Sequence, residues 1–229
     1  MDDDFSIDRR DLTDQVYDRL KAQILDRNFS PNEKLSVDRV AKRFGISRTP
    51  AKDAMNRLAA EGLITIERRV GSFVTPITIK DIEEIFAMRL LFELYAAEKG
   101  FGIISVDEIS EMELLLQDMA TCIEGDRYRP SDHGRYIELD HKLHRLIVDS
   151  TGNDRLIAMY EGLDVHVHIT RAYYLNDMEN AVQSQQAHQA IVLAYRERNL
   201  KKLKKVLQSH ILSVRDLVIQ KLESAGGIL

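Results

Sequence analysis

A short amphipathic stretch, a glycine, and a second stretch that opens on a basic, polar run constrain the N-terminal part of this chain more than any other feature. Residues 35–71 read LSVDRVAKRFGISRTPAKDAMNRLAAEGLITIERRVG. Val37 to Phe44 predicts a short helix, with Val40, Ala41, Phe44 and Ile46 turned inward and a turn at Gly45. A second helix opens on Ser47-Arg48-Thr49-Pro50. Ser47 suits an N-cap, where its hydroxyl accepts from a free N–H of the first turn, and Pro50 loses nothing there by lacking a donor. Ala54, Leu58 and Ala59 recur at helical spacing, and Gly62 is placed to end the helix in a left-handed cap. Two strands are expected next, Ile64 to Arg68 and Ser72 to Thr75, bent at Gly71. This is the form of a helix-turn-helix with a β-wing, whose second helix enters the DNA major groove with its N-terminal side chains leading.

The side chains fit that task. Arg48, Thr49 and Lys52 stay on the outer face near the start of the second helix, where arginine can fork onto guanine or phosphate. With them we place Arg39, Ser47 and, at the wing, Arg68, Arg69 and Gly71 as candidate DNA contacts. The alternative is a small helical domain with a solvated basic face. The wing strands and the polar, basic start of the second helix tell against it. A net charge of −5 is at first sight unfavourable to DNA binding, but its distribution answers the objection. Residues 34–72 hold nine Lys or Arg and four Asp or Glu, whereas residues from 79 onward hold eighteen and twenty-four.

The expected fold is mainly α: an N-terminal winged helix-turn-helix with a small β-wing, then a six-helix antiparallel bundle. The expected divisions are a disordered tail over 1–9, a DNA-binding domain over 10–76, a linker at 77–78, a helical domain over 79–223 and a tail over 224–229. A first helix is expected from Leu12 to Asp26, with Val16, Leu20 and Ile24 on one face. Thr78 is placed to cap the first helix of the bundle. Segments near 80–100, 105–125, 131–150, 153–176, 179–197 and 199–223 carry apolar residues at helical spacing. The acidic N-terminus predicts no signal peptide, and no apolar run reaches the ~20 residues of a membrane span. One cysteine, Cys122, excludes an internal disulfide and fits a reducing cytoplasm, so a cytoplasmic protein without a membrane partner is expected.

The run from Leu12 to Pro76 resembles the winged helix of the GntR regulators, whose recognition helix commonly opens S-R-T-P-V-R-E-A. Here Ser47 to Ala54 read S-R-T-P-A-K-D-A. Lys52 stands where that family usually has arginine, exchanging a planar fork for a point charge. Asp38 stands where well-known members carry a DNA-contacting arginine, and Arg39 beside it is the candidate substitute. The resemblance implies double-stranded operator DNA as the partner and a homodimer that presents two winged helices to it.

In the helical half, Asp140 and His144 lie four apart and so share a helix face with Tyr136, Leu143 and Ile147. His188 sits in a stripe with Ile191 and Tyr195, and His210 in one with Leu203, Leu207, Val214 and Leu217. Polar groups inside apolar stripes are costly without partners. One Asp and three His suit a divalent transition metal, although for each histidine alone a satisfied core residue is the better reading. His133, His141, His166 and His168 lack the pattern.

This half resembles the FCD ligand-binding domain of the FadR branch of those regulators. Its metal-binding members carry D-x-x-x-H, then E-H-x-x-I, then H before L or I. Here these read Asp140-His144, Ala187-His188-Gln189-Ala190-Ile191, and His210-Ile211. The resemblance implies Asp140, His144, His188 and His210 as ligands, for zinc foremost and otherwise nickel, manganese or iron. Six helices point to the VanR-like subgroup. Met88 to Glu93 resembles an R-x-x-[LI]-E element whose arginine often faces an effector, so Arg89 and Arg171 are candidate anchors for a carboxylate-bearing metabolite. An Arg89–Glu93 ion pair is the even alternative. The function expected is a metabolite-responsive transcriptional regulator, most often a repressor in that family, and not an enzyme. The competing reading is a metal-dependent hydrolase, which lacks any motif for a positioned acid or base.

Overall fold

The computed structural model describes residues 9–25, 28–123, 130–163, 167, 170, 174–175, 177–224 and 226–228. It divides into two compact units, one running up to Ile77 and one from Thr78 to Gly227. The expected tail over 1–9 lies outside the described residues, except that Arg9 already belongs to the first helix.

The first unit contains helices α1 (Arg9–Leu25), α2 (Val37–Phe44) and α3 (Arg48–Ala60), with strands β1 (Lys34–Leu35), β2 (Ile64–Glu67) and β3 (Gly71–Val74). α1 and α2 both pack on α3. Val16, Leu20, Ile24, Val40, Ala41, Ala54 and Leu58, which the periodicity marked, make the core together with Met55, which it did not, while Phe44, Ile46 and Ala59 are only half-buried. Gly45 (φ 66) ends α2 in the left-handed conformation, which lets the chain turn at once into α3. Gly62 follows α3 at φ 77.

Three local expectations are corrected. Ser47 occupies the N-cap position of α3, but its side chain makes no capping hydrogen bond; Ser36 is the serine that caps, its Oγ accepting from Arg39 N at 3.1 Å. The wing bends at Arg68–Val70, with Arg69 left-handed (φ 67), while Gly71 lies inside β3 opposite Glu67. A Cβ on Gly71 would come within 2.7 Å of Lys34 Cε, so the site favours glycine for closeness as well as for its φ of 145. Finally, the sheet has a third strand. β1 pairs with β3, giving the antiparallel order β1-β3-β2. Two residues are too few to show an alternating pattern.

The second unit contains α4 (Ile79–Gly100), α5 (Val106–Cys122), α6 (Pro130–Asp149), α7 (Asp154–Glu161), α8 (Met178–Arg196) and α9 (Leu200–Ser224). Thr78 caps α4 in a capping box, its Oγ1 accepting from Asp81 N while the Asp81 carboxylate accepts from Thr78 N. Ser105 and Glu108 do the same for α5. The single helix expected over 153–176 is not found. α7 ends at Glu161 with Gly162 as its C-cap, and Val167, Thr170 and Tyr174 are helical positions separated by undescribed residues. α4 packs on α9 and α6, α5 on α6 and α8, and α8 on α9. Tyr136, Leu143, Ile147, Ile191, Tyr195, Leu203 and Leu207 fill the interior. Cys122 is buried, and burial pushes its thiol up, as fits an inert core residue. No helix among the described residues is long and apolar enough to cross a membrane.

Candidate nucleic-acid face and candidate metal centre

In the first unit, the start of α3 and the wing border a groove of about 480 Å3 whose walls include Arg48, Thr49, Lys52, Asn56, Ile66 and Ser72. Arg48, Thr49 and Lys52 are exposed, as are Arg68 and Arg69 at the wing tip. Arg48 donates to Asp38 at 2.8 Å, with both side chains largely in solvent. An exposed pair of this kind contributes ~0–1 kcal/mol, so a phosphate or a guanine edge can displace it. Arg39 is held to its own unit, donating to Glu33 at 2.9 Å and to the Lys34 carbonyl at 3.4 Å.

In the second unit, three histidines converge. Asp140 and His144 project from one face of α6, His188 comes from α8 and His210 from α9, and all four are buried. His144 Nε2 lies 3.2 Å from His188 Nε2, which lies 3.2 Å from His210 Nε2. Asp140 Oδ1 is 3.3 Å from His188 Nε2. The three histidine donor atoms fall within 4.8 Å of one another. Two imidazole nitrogens that both offer lone pairs repel at such a distance unless a cation or a proton lies between them. Zinc–nitrogen bonds of ~2.0–2.1 Å in a tetrahedral site would set its nitrogens roughly 3.3 Å apart, which matches both 3.2 Å spacings. The protonation state of His210 also suits a cation. Burial, foremost, holds His210 well below the usual histidine range, so it is neutral. The donor set therefore fits a divalent metal.

Glu93, on α4, orders this cluster. Its Oε2 is 2.6 Å from His144 Nδ1. A carboxylate can only accept, so Nδ1 carries the hydrogen, and in the neutral ring Nε2 presents its lone pair toward His188. Glu93 Oε1 accepts from Arg89 Nε at 2.6 Å and from the Tyr160 hydroxyl, on α7, at 2.9 Å. Sequence reasoning gave Glu93 no such role, because Arg89 one turn away already accounted for it locally. Arg89 is thus ion-paired, yet its Nη2 remains buried with no hydrogen-bond partner among the described residues. The same holds for Ser184 Oγ and for the Tyr195 hydroxyl, whose pKa burial and the Glu93 charge push up, so that it stays a donor. A cleft of about 300 Å3 between α8 and α9 has His210, Ser184 and Tyr174 in its wall. Arg171, with His166, His168 and Tyr173, lies outside the described residues. His133 and His141 are half-buried and take no part in the cluster.

Residues 12–74 match the gntR family of bacterial regulatory proteins, and residues 84–213 match the FCD domain. The chain belongs to the gntR family of bacterial transcriptional regulators and carries an FCD domain; it is not an enzyme. Among its relatives is the uncharacterized HTH-type transcriptional regulator YdhC of Bacillus subtilis (strain 168), 30% identical over 92% of this chain and 91% of that protein. The HTH-type transcriptional repressor RspR of Escherichia coli (strain K12) is 24% identical over 91% of this chain and 90% of its own length. The gluconate operon transcriptional repressor of Bacillus licheniformis is 31% identical over 56% of this chain, which is 51% of that protein. E. coli McbR/YncC has a similar fold (TM-score 0.74, 18% identity, 92% of this chain and 98% of that one). So does the metal-free FCD domain of TM0439 (TM-score 0.53, 19% identity, 64% and 97%).

Glu93 is the partner of three buried groups, so Glu93→Ala should lower the unfolding free energy by about 3–5 kcal/mol. Denaturant unfolding followed by circular dichroism reads this directly; a loss below ~1 kcal/mol would show that the carboxylate does not organise the interior.

Proposed function

We propose that this regulator is a metabolite-responsive repressor that binds a pseudo-palindromic operator as a homodimer. Its affinity for DNA is set by an anionic effector held beside a metal in the FCD domain. Residues 10–76 form the DNA-binding head, 77–78 the linker and 79–223 the sensor, in a cytoplasmic protein of the VanR-like subgroup. Two relatives named as repressors support repression. The observation that carries the sensor reading is the convergence of His144, His188 and His210 with Asp140 inside an apolar bundle. These four side chains would hold zinc foremost, with nickel, manganese and iron as competitors. Bound there, the metal supplies a Lewis-acid contact for a carboxylate oxygen. Arg89 Nη2, the Tyr195 hydroxyl and Ser184 Oγ, all without a hydrogen-bond partner among the described residues, are the donors that would orient the rest of an oxygen-rich anion. Arg171 is a further candidate anchor.

At the head, Arg48 and Thr49 lead into the major groove, Ser47, Lys52 and Arg39 hold phosphates, and Arg68, Arg69 and Gly71 bring the wing to the backbone or minor groove. Each head spans only a few base pairs, so two are needed for useful specificity. Coupling requires that the effector bind the DNA-competent and DNA-incompetent arrangements with different affinity. Metal-dependent hydrolysis has no observation in its favour.

Two experiments test the two halves separately. Fluorescence anisotropy on the protein's own upstream DNA should show Arg48→Ala losing about 1–3 kcal/mol of discrimination per half-site, with folding intact. Wild-type affinity and specificity would remove Arg48 from the interface. His188→Ala, His210→Ala and chelation should each lower the melting temperature of the sensor and abolish its response to added zinc, while Arg48-dependent binding persists. A melting curve indifferent to all three would refute the metal reading and leave the head untouched.

A further inference from the structure

A carboxylate stands beside the leading arginine of the face that reads DNA in the function proposed above. Asp38, in the first turn of α2, has its Oδ1 2.8 Å from Nη1 of Arg48, the first residue of α3, and the two side chains are 68% and 74% exposed. The neighbouring Arg39 does not offset this charge, because its guanidinium is turned back onto Glu33 and the Lys34 carbonyl. The groove walled by Arg48 and Lys52 holds a second exposed carboxylate, Asp53. The start of the reading helix is therefore close to neutral, its two cations matched by Asp38 and Asp53. An acidic residue in a first turn also favours the helix that carries it. That accounts for a carboxylate on α2 but not for its place against Arg48.

Asp38 makes phosphate a poor ligand for Arg48. A phosphate that captured the guanidinium would bring a full negative charge next to the carboxylate, and like charges at that range repel. A guanine edge offers O6 and N7, which accept hydrogen bonds without a formal charge. An arginine with no acidic neighbour has an alternative on DNA of the wrong sequence. It swings to the backbone and recovers, through a sequence-independent contact, part of what it loses at the base. Beside Asp38 that alternative is penalised, so a wrong base costs more. Specificity of this kind comes from weakening the wrong complex rather than from strengthening the right one.

We propose that Asp38 is a specificity-determining residue of the DNA-binding head, which keeps Arg48 from the backbone phosphates and so confines it to a base edge. The proposal rests on the reading of the head given above and adds to it a residue whose contribution is repulsion.

Fluorescence anisotropy on the full chain tests it. The probes are a duplex selected by the wild-type chain from a randomised library, single-base-pair variants of that duplex, and a scrambled duplex of the same length and composition. Asp38→Asn keeps the shape of the side chain and removes its charge. The variant should bind the scrambled duplex at least about fivefold more tightly at ~0.1 M salt, with the slope of log K against log salt steeper by about one per head, and should gain no more than about twofold on the selected duplex. The lost discrimination should fall on the base pair whose substitution Arg48→Ala ignores, and Asp38→Asn should relax nothing further there when Arg48 is already alanine. A uniform gain on selected, variant and scrambled duplexes would reduce Asp38 to a general surface charge and overturn the proposal. Unchanged base preferences with a lowered melting temperature would assign Asp38 to the support of α2 and overturn it equally, as would unchanged binding to every duplex. A wild-type chain that selects no sequence from the library would overturn the reading of the head itself, and the proposal with it.

Discussion

A buried carboxylate must be paired on every side or the fold around it fails. Taking one from water into a protein interior costs several kcal/mol, and only good geometry and satisfied lone pairs offset this. Glu93 meets that demand with three donors drawn from three helices: Arg89 on its own α4, His144 on α6 and Tyr160 on α7. Those contacts fix where α4 sits against the bundle and which nitrogen of His144 faces the other histidines. Within the cluster formed by His144, His188, His210 and Asp140, the orientation of His144 is therefore set by a residue outside it.

The same constraint bears on the proposed signalling. α4 is the helix that begins directly after the winged unit in the chain, capped by Thr78 and Asp81. Its inner face carries Glu93, which pairs with Arg89, His144 and Tyr160. In the proposed signalling, an effector that drew Arg89 or His144 away from Glu93 would alter the support of this helix.

Much of this was legible in the sequence, and the misses share a cause. The head could be read because its signals are local: Gly45 and Gly62 at left-handed positions, Val40, Ala54 and Leu58 at helical spacing, and the basic start of α3. The histidines could be read because each interrupts an apolar stripe, which is also a local pattern. Glu93 could not, because its contacts with His144 and Tyr160 join residues 51 and 67 positions apart, while the i,i+4 partner Arg89 offered a sufficient local account. β1 escaped notice because two residues carry no period. The break after Glu161 was hidden because apolar spacing continues past Gly162, whose effect depends on the packing around it. Ser47 occupies the expected cap position, but its rotamer, which sequence does not specify, leaves the cap bond unmade.

The central claim is that three imidazoles and a carboxylate are gathered in the bundle to hold one metal ion. Elemental analysis of protein purified without a metal-affinity tag tests it most directly. The account predicts close to one divalent ion per chain, falling to background when His188 and His210 are both replaced by alanine. Protein that is fully folded and carries less than about a tenth of an ion per chain, even after incubation with zinc, nickel, manganese or iron(II) followed by desalting, would contradict it.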